Sequence, residues 1–566
     1  MLKSLLIHND NTPLNIHPDI STSILFAPTL EELNNSDIDT YISKRILSQI
    51  KNEEFDIVFI RDTLSENYID FYGLVLAYHI RLSTATLKKE QNLTPIVILS
   101  DIDSYIINKI TSIGQILFTK NIFIAPNNKS TLDRFNNENF KPILLTSDEY
   151  NFDFLDKINI KPPKDYLSHH SITNEWAIHH WSQLLGVKDK ESIKKNETKI
   201  SSMLYFKYLE KKYHLHQMTE IPDDRKNKEG KILLIDDKCA DGWSDILQKF
   251  CSKFYTEVTL ESLGHEYKDI KDIEYIKKQV KEKINSYNPD IILLDLRLME
   301  ELDSAVNITS NEDDKQRIKE ISGVKILEYI RERKNTINQG IQIIIFSAST
   351  DSLILDYVYK QAILGYIKKD SPTNKYLATK NSLGKLKQLI SGKDAGLDKR
   401  YLKNIWNIQE LILNTSFLTN SSESEIFTIR DNVKSIFEIL NSNIKNPYKY
   451  AMLAIFKCIE LLNEYFIDDI YNFPLWKASK SNIESHRKKV NSTENYLLNV
   501  IDKKTNLSMI DYEDMVKNIV CSRNLAIHTK ILDHCIGFTV ENPKHENLEK
   551  WFSLLSEIFN GIKIEK

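Results

Sequence analysis

Short apolar runs that end in polar residues recur through much of the chain, and each gives way to apolar residues at helical spacing. The clearest example is "KILLIDDKCADGWSDILQKF", which begins at Lys231. Ile232 to Ile235 is apolar and partly β-branched, as a strand buried on both faces requires. It stops at Asp236 and Asp237, and Ile246, Leu247 and Phe250 then recur at helical spacing. "NPDIILLDLRLM" gives a second strand, Ile291 to Leu294, that stops at Asp295. "IQIIIFSAS" gives a third that stops at Ser347, and "LGYIKKDSP" a fourth that stops near Lys369. The helical patterns "EYIKKQVKEKI", "GVKILEYIRER" and "LGKLKQLISG" lie between and after them. Strands alternating with helices predict a parallel sheet wound on both faces.

The start of the chain repeats this layout. "SLLIHND" stands where "ILLIDDK" stands, "FDIVFIRD" matches "PDIILLDL", and "PIVILSD" matches "QIIIFSA", which sets Ser100 against Ser347. "GLVLAYHIR" matches "GVKILEYIR", with Gly73, Ile80 and Arg81 identical to Gly323, Ile330 and Arg331. Such self-similarity predicts a duplicated α/β domain. Between the copies, "LSHHSITNEWAIHHWSQLLG" reads as an amphipathic helix packed through Trp176, Trp181 and Leu185, with His169, His170, His179 and His180 in structural or surface roles. "TEIPDDRKNKEGK", from Thr219, reads as a charged linker. From Tyr401 the strand signal disappears and long helical patterns predict an all-α bundle.

Composition narrows the class. At roughly 100–200 residues per domain, a chain of 566 residues holds several domains. It is 41% hydrophobic and 27% charged, as a globular protein is, and the net charge of −4 argues against coating nucleic acid while leaving a local RNA site open. Residues 401–566 carry 20 Lys and Arg against 21 Asp and Glu, which argues against a DNA-binding output. The five cysteines form no CxxC pair, so reduced thiols in a cytoplasm are expected. No apolar run reaches the roughly 18 residues of a membrane span, and "MLKSLLIHNDN" turns polar too soon for a secretory signal. No GxxxxGK[ST] or GxGxxG occurs, which argues against a Gly-rich phosphate cradle.

The chemistry lies at the strand ends. In doubly wound sheets ligands bind outside the carboxyl ends of the strands. Asp236, Asp237, Asp295, Ser347 and Lys369 all fall there. Taken singly, an Asp after a strand is most often a loop residue or a helix cap. Five residues at matching ends favour a site. Converging carboxylates repel each other unless a cation joins them, and oxygen ligands suit Mg²⁺. A carboxylate so placed can act as a nucleophile towards phosphorus.

This stretch, from about Lys231 to Ser391, resembles the receiver domain of two-component response regulators. The resemblance implies that Asp236, Asp237 and Asp295 hold Mg²⁺ and that Asp295 is the phosphoacceptor. It implies that Ser347 and Tyr366 form the switch and that Lys369 pairs with the phosphoryl group. The phosphodonor would be a histidine kinase or a small molecule. The Met-Pro pair that usually follows the phosphoacceptor is missing. A polar insertion, about Met299 to Lys319, stands there instead. It reads either as a surface insertion or as a barrier to a phosphodonor or phosphatase. In the first copy His8 and Asn9 replace the acidic pair and Arg61 replaces the phosphoacceptor. That copy looks like a degenerate receiver. Asp10 and Asp62 are one residue out of register, which is expected to turn their side chains away.

In the last part, Val516, Val520, Ile527 and Ile531 make an apolar helical stripe, with Asn524 inside it and Arg523 and His528 at its edges. A polar amide on a buried face needs a partner. It either caps a neighbouring helix or belongs to a site. "RNLAIH" resembles the Rx4-6H motif of HEPN-domain ribonucleases, whose helical protomers pair to form one metal-independent RNA-cleaving site. The resemblance implies that His528 moves protons, Arg523 neutralises the scissile phosphate and Asn524 orients one of them.

The expected organisation is therefore a degenerate receiver-like α/β domain at 1–139, a helical connector and linker at 140–230, a flavodoxin-like receiver at 231–395 and an all-α HEPN-like output domain at 401–566. The expected function is a cytoplasmic response regulator, dimeric when active. Phosphorylation controls its RNA cleavage, in a setting such as stress or antiphage defence. The competing reading is a non-enzymatic adaptor whose helical domain binds a partner protein.

Overall fold

The computed structural model describes residues 2–9, 20–29, 38–83, 93–135, 147–162, 169–213, 219–267, 272–299, 314–348, 352–369, 376–419, 424–466 and 544–562, apart from isolated positions inside them, together with parts of 497–522 and residues 32, 143, 270 and 303. The chain forms two compact units whose segments interleave. The first comprises Met1–Asp224, Lys238–Lys253 and Lys368–Gly384, and the second Arg225–Asp237, Phe254–Ile367 and Lys385–Lys566.

In the first unit, β1 (Ser4–His8), β2 (Thr22–Leu25), β3 (Ile57–Arg61), β4 (Ile96–Leu99) and β5 (Ile122–Ala125) form a five-stranded sheet in the order β2-β1-β3-β4-β5. All its pairings are parallel, with Leu5 opposite Val58 and Val58 opposite Ile96. α1 (Tyr72–Leu82), α2 (Ser147–Lys157), α3 (His169–Leu185), α4 (Glu191–Ser202) and α5 (Leu204–Lys212) belong to the same unit. Trp176, Ile200 and Phe206 join residues of the first sheet in one core, so three connector helices share its apolar interior. Trp176 stacks on Phe206 with ring centres 5.8 Å apart, and Trp181 and Leu185 are fully buried, as their spacing predicts.

A polar chain crosses this core. Asp39 accepts from His79 Nε2 at 2.9 Å and from the Leu204 N–H at 2.9 Å. The Lys207 ammonium meets His79 Nδ1 at 3.0 Å and the hydroxyls of Ser43 and Ser83 at 2.9 Å each. Three ammonium protons thus face three acceptors, which assigns a neutral His79 with its proton on Nε2. Burial lowers the Lys207 pKa to about 8, and burial and then the Lys207 charge lower that of His79. Lys207→Met is expected to destabilise the first unit by about 2–4 kcal/mol, because it strands a buried carboxylate–imidazole pair and two hydroxyls. Urea unfolding followed by fluorescence measures this, and a midpoint unchanged from wild type would refute the assignment.

His179 and His180 also pack inward, with rings 6.4 and 4.6 Å from that of Trp176. Burial, and then His180, push the His179 pKa down to about 3, and Gln183 Nε2 lies 3.0 Å from its Nε2. The unfolded chain therefore binds the proton first as pH falls. This contribution to stability is complete above about pH 6.5 and is lost progressively towards pH 3. Acidifying from pH 7 to 5 is expected to cost up to about 2 kcal/mol through His179 alone. Melting curves of wild type and His179→Gln at both pH values test this, and equal slopes would refute it.

In the second unit, β6 (Lys226–Ile235), β7 (Tyr255–Leu263), β8 (Ile291–Leu294), β9 (Gln342–Ser347) and β10 (Gly365–Lys368) form a sheet in the order β10-β9-β8-β6-β7. Counted from its own first strand, this is the order of the first sheet, the 2-1-3-4-5 order of flavodoxin-like folds. The duplication extends to side chains. Arg81 donates to the carbonyls of Thr94 and Asn121, just before β4 and β5. Arg331 donates to those of Ile341 and Ala362, before β9 and β10.

β7 is absent from the pattern reading. It alternates exposed Glu257 with partly buried Val258, so no continuous apolar run marks it. Pairing with β7 also draws residues 226–231 of the expected linker into β6, with Glu229 opposite Glu257. The helices α6 (Trp243–Phe254), α7 (Ile273–Tyr287), α8 (Ser322–Arg331) and α9 (Tyr376–Ser391) follow the strands in the chain.

Beyond Tyr401, the described residues contain no strand. α10 (Tyr401–Leu413), α11 (Ser424–Asn441), α12 (Pro447–Tyr465) and α13 (His545–Gly561) share one apolar core. Buried Leu402, Ile405, Trp406, Gln409, Ile412 and Leu413 give α10 its inward stripe. Within the unit Lys403 bonds Asp290 at 2.9 Å, and Arg333 bonds Glu410 at 2.9 Å. Cys239, Cys251 and Cys458 are free and buried, but Cys521 is disulfide-bonded, against the expected set of reduced thiols. A bridge depends on tertiary approach, which spacing does not reveal. No helix among the described residues is long and apolar enough to cross a membrane.

Candidate functional site

The register of β6 and β8 builds the centre of the site. Ile235 pairs with Leu294, so Asp236 and Asp295 leave adjacent strands side by side. The Asp295 N–H donates to the Ile235 carbonyl at 2.9 Å, and the Asp236 N–H to that of Leu263 at 3.0 Å. After β7 the chain turns at Gly264 with φ +129°, where a Cβ would meet the Asp236 carbonyl oxygen at 2.5 Å. Only glycine fits that approach.

Asp236, Asp237 and Asp295 each bring a carboxylate oxygen within 4.8 Å of the others, and all three are buried. They are the one such metal-capable cluster among the described residues. The Ser347 hydroxyl donates to Asp295 Oδ1 at 2.6 Å, and the Arg297 N–H reaches the same oxygen at 3.3 Å. Tyr366 is buried, with its hydroxyl 3.4 Å from the Ser347 carbonyl. Burial, and then the Asp295 charge, push its phenol pKa up. Three buried carboxylates at this separation raise each other's energy, and a cation relieves it. The donor set is all hard oxygen, which fits Mg²⁺.

Lys369 follows β10 and lies in the first compact unit, fully buried. Its Nζ is 3.1 Å from Asn174 Oδ1 on α3. The sequence reading did not single out Asn174, because nothing local distinguishes one Asn in a helix.

The insertion after Asp295 also contributes more than polar surface. Asp303 is buried, and its carboxylate accepts from the Met299 N–H at 3.1 Å and from the Ser322 N–H and hydroxyl at 2.8 and 2.6 Å. It thereby caps α8, and burial pushes its pKa up. Residues 304–313 lie outside the described part of the chain.

In the first domain Arg61 Nη1 donates to Asn9 Oδ1 at 3.3 Å, at the place of the acidic cluster. Asp62 corrects an expectation. Its side chain is not turned away but buried, accepting from the Ser100 hydroxyl at 2.5 Å and from the Thr63 N–H at 2.7 Å. The Ser100 donor sits at the end of the adjacent strand, and satisfying the carboxylate there outweighs simple strand alternation. Asp10 lies outside the described residues. So do Arg523, Asn524 and His528, although Val516 and Val520, at the start of their stripe, are buried.

The family described as Inactive Receiver domain matches residues 10–125. The structure of the signal receiver domain of a protein described as a Luxo repressor, from Vibrio parahaemolyticus, is similar at 16% identity, covering 29% of this chain and 99% of that one with a TM-score of 0.17. No curated protein matches. The matched residues fall in the first α/β domain, the copy in which His8, Asn9 and Arg61 stand in place of carboxylates.

Proposed function

We propose that the chain is a two-component signalling protein whose second α/β domain is phosphorylated on Asp295. The observation that carries this reading is the convergence of three buried carboxylates with the Ser347 hydroxyl on Asp295. A carboxylate oxygen of Asp295 attacks phosphorus as the bond to the donor's leaving group breaks, giving an acyl phosphate. Asp236, Asp237 and Asp295 would hold Mg²⁺, which supplies charge neutralisation at the phosphoryl oxygens. The Ser347 hydroxyl then turns from Asp295 to a phosphoryl oxygen, Tyr366 follows through its contact with the Ser347 carbonyl, and Lys369 pairs with the new charge. The donor is a histidine kinase or a small phosphodonor. Incubating the protein with acetyl phosphate and Mg²⁺ and mapping the modified residue by mass spectrometry tests the reading, and an unlabelled wild type would overturn it.

The output belongs to residues 401–566. Phosphorylation shifts a dimerisation equilibrium there, and paired Arg523, Asn524 and His528 sites cut RNA. "RNLAIH" supports this step. His528→Ala is expected to abolish cleavage of RNA by the beryllofluoride-treated protein while leaving its oligomeric state unchanged. Absence of cleavage by the wild type would favour the adaptor reading, in which phosphorylation gates binding of a partner protein.

A further inference from the structure

The paired arginines Arg81 and Arg331 stand in different surroundings. In the first domain the ring of buried Tyr150, on α2, lies over the Arg81 guanidinium, with its centre 5.4 Å away. Burial lowers the Arg81 pKa, and the Tyr150 phenol works against that shift. In the second domain Arg331 donates to the carbonyls at the two strand entries and to that of Gln339 at 3.1 Å. Among the described residues its Nε meets no acceptor, and burial lowers its pKa to about 10 with no carboxylate to oppose the shift. Arg331 instead borders a cavity of about 440 Å³ that lies wholly within the second unit.

The lining of this cavity is cationic. Arg331, Arg333, Lys360 and Lys434 border it against one carboxylate, Glu438. Lys360 and Lys434 pair with exposed Asp356 and Asp431 one turn away, contacts worth little in water and readily given up. The lining also has an aromatic part. Trp406 and Phe437 meet edge to face with centres 5.1 Å apart, and the Arg333 guanidinium lies 4.7 Å from the centre of the Trp406 ring. The volume suits a small organic molecule. A flat ring gains contact with Trp406 and Phe437, and an anionic group gains charge-assisted hydrogen bonds from the cations. Arg81 receives a ring with a phenol oxygen from its own chain. Arg331 borders open volume.

We propose that this cavity binds a small aromatic anion, a flat ring carrying a carboxylate or a phosphate, with Arg331, Lys360 and Lys434 holding the charge and Trp406 and Phe437 the ring. Arg331 and Lys360 belong to the second α/β domain, Trp406 to α10, and Lys434 and Phe437 to α11. The ligand therefore fastens the helical part of this unit to its sheet, and it does so independently of the chemistry at Asp295.

The test uses the full chain with 1-naphthoate, 1-naphthyl phosphate, 1-naphthol and inorganic phosphate as probes. Saturation-transfer NMR titrations read the affinities of the naphthyl probes, inorganic phosphate is titrated as their competitor, and amide exchange over residues 431–442 locates the binding. At least one of the two acids is expected to bind about tenfold or more tightly than 1-naphthol, a ratio that one charge-assisted hydrogen bond supplies. The tighter acid identifies the charged group, and it should slow exchange over residues 431–442. Lys434→Glu and Lys360→Glu should each weaken that acid by about fivefold or more and leave 1-naphthol within about twofold. Lys278→Glu, at an exposed position on α7, should change neither and so controls for overall charge. If Lys434→Glu fails to fold, exposed Lys360 carries the comparison. A wild type that binds neither acid would overturn the proposal. So would 1-naphthol or inorganic phosphate binding as tightly as the acids, affinity unchanged in both lysine variants, or protection from exchange confined to other residues.

Discussion

Asp295→Asn is expected to abolish phosphoryl incorporation from acetyl phosphate while leaving the protein folded. The amide has the shape of the carboxylate and can still accept the Ser347 hydroxyl, now 2.6 Å from Asp295 Oδ1. It has no anionic oxygen with which to attack phosphorus. The substitution also reduces three buried negative charges to two. Mg²⁺ affinity should therefore fall at least about tenfold. In the absence of metal the variant should be more stable than the wild type, by about 1–2 kcal/mol, because part of the repulsion is gone. Phosphate-affinity electrophoresis, metal titration and melting curves in chelator read the three effects. Labelling that survives in Asp295→Asn would place the phosphoacceptor elsewhere.

Gly323→Ala should have the largest effect on stability. A Cβ at Gly323 would lie 2.3 Å from the Asp295 carbonyl oxygen and 2.5 Å from Leu296 Cα. Both obstacles are main chain, and the Gly323 N–H is bonded to the Leu296 carbonyl at 3.0 Å, so the helix cannot withdraw without breaking that bond. Forcing it away costs more than about 3 kcal/mol by overpacking. It also displaces the strand end that carries Asp295, so Mg²⁺ binding should weaken in parallel. The other copy behaves alike, because a Cβ at Gly73 would fall 1.9 Å from the Arg61 carbonyl oxygen. Gly73→Ala should thus destabilise the first unit although that domain has no acidic cluster to lose. Urea midpoints within about 1 kcal/mol of wild type for both variants would show that the helices adjust.

The pair Gly73 and Gly323 was legible as sequence identity between the copies, but its reason was not. Close approach of a helix start to a strand end is what forbids a Cβ, and only coordinates show that approach. The Asp236, Asp237, Asp295 and Ser347 group was legible because a parallel strand places its last residue at a predictable edge. Register then brings adjacent strand ends together without any further information. Asp62 shows the limit of that logic. The alternation rule sends its side chain away, yet the Ser100 hydroxyl at the next strand end keeps it inside.

By itself, the sequence determined the alternation of strands and helices, the duplication, the loss of carboxylates from the first copy and the acidic strand ends of the second. Each follows from periodicity or from residue type at a fixed position, which are local properties. Only the tertiary structure decided that Asn174 meets Lys369, that Asp39, His79 and Lys207 form one chain of protons, that Asp303 caps α8 and that β7 pairs along the charged stretch before Ile232. These partners lie tens to hundreds of residues apart or carry no distinctive local pattern. Their polar groups are stabilised by the particular neighbours that packing supplies, and that choice is made by the whole fold.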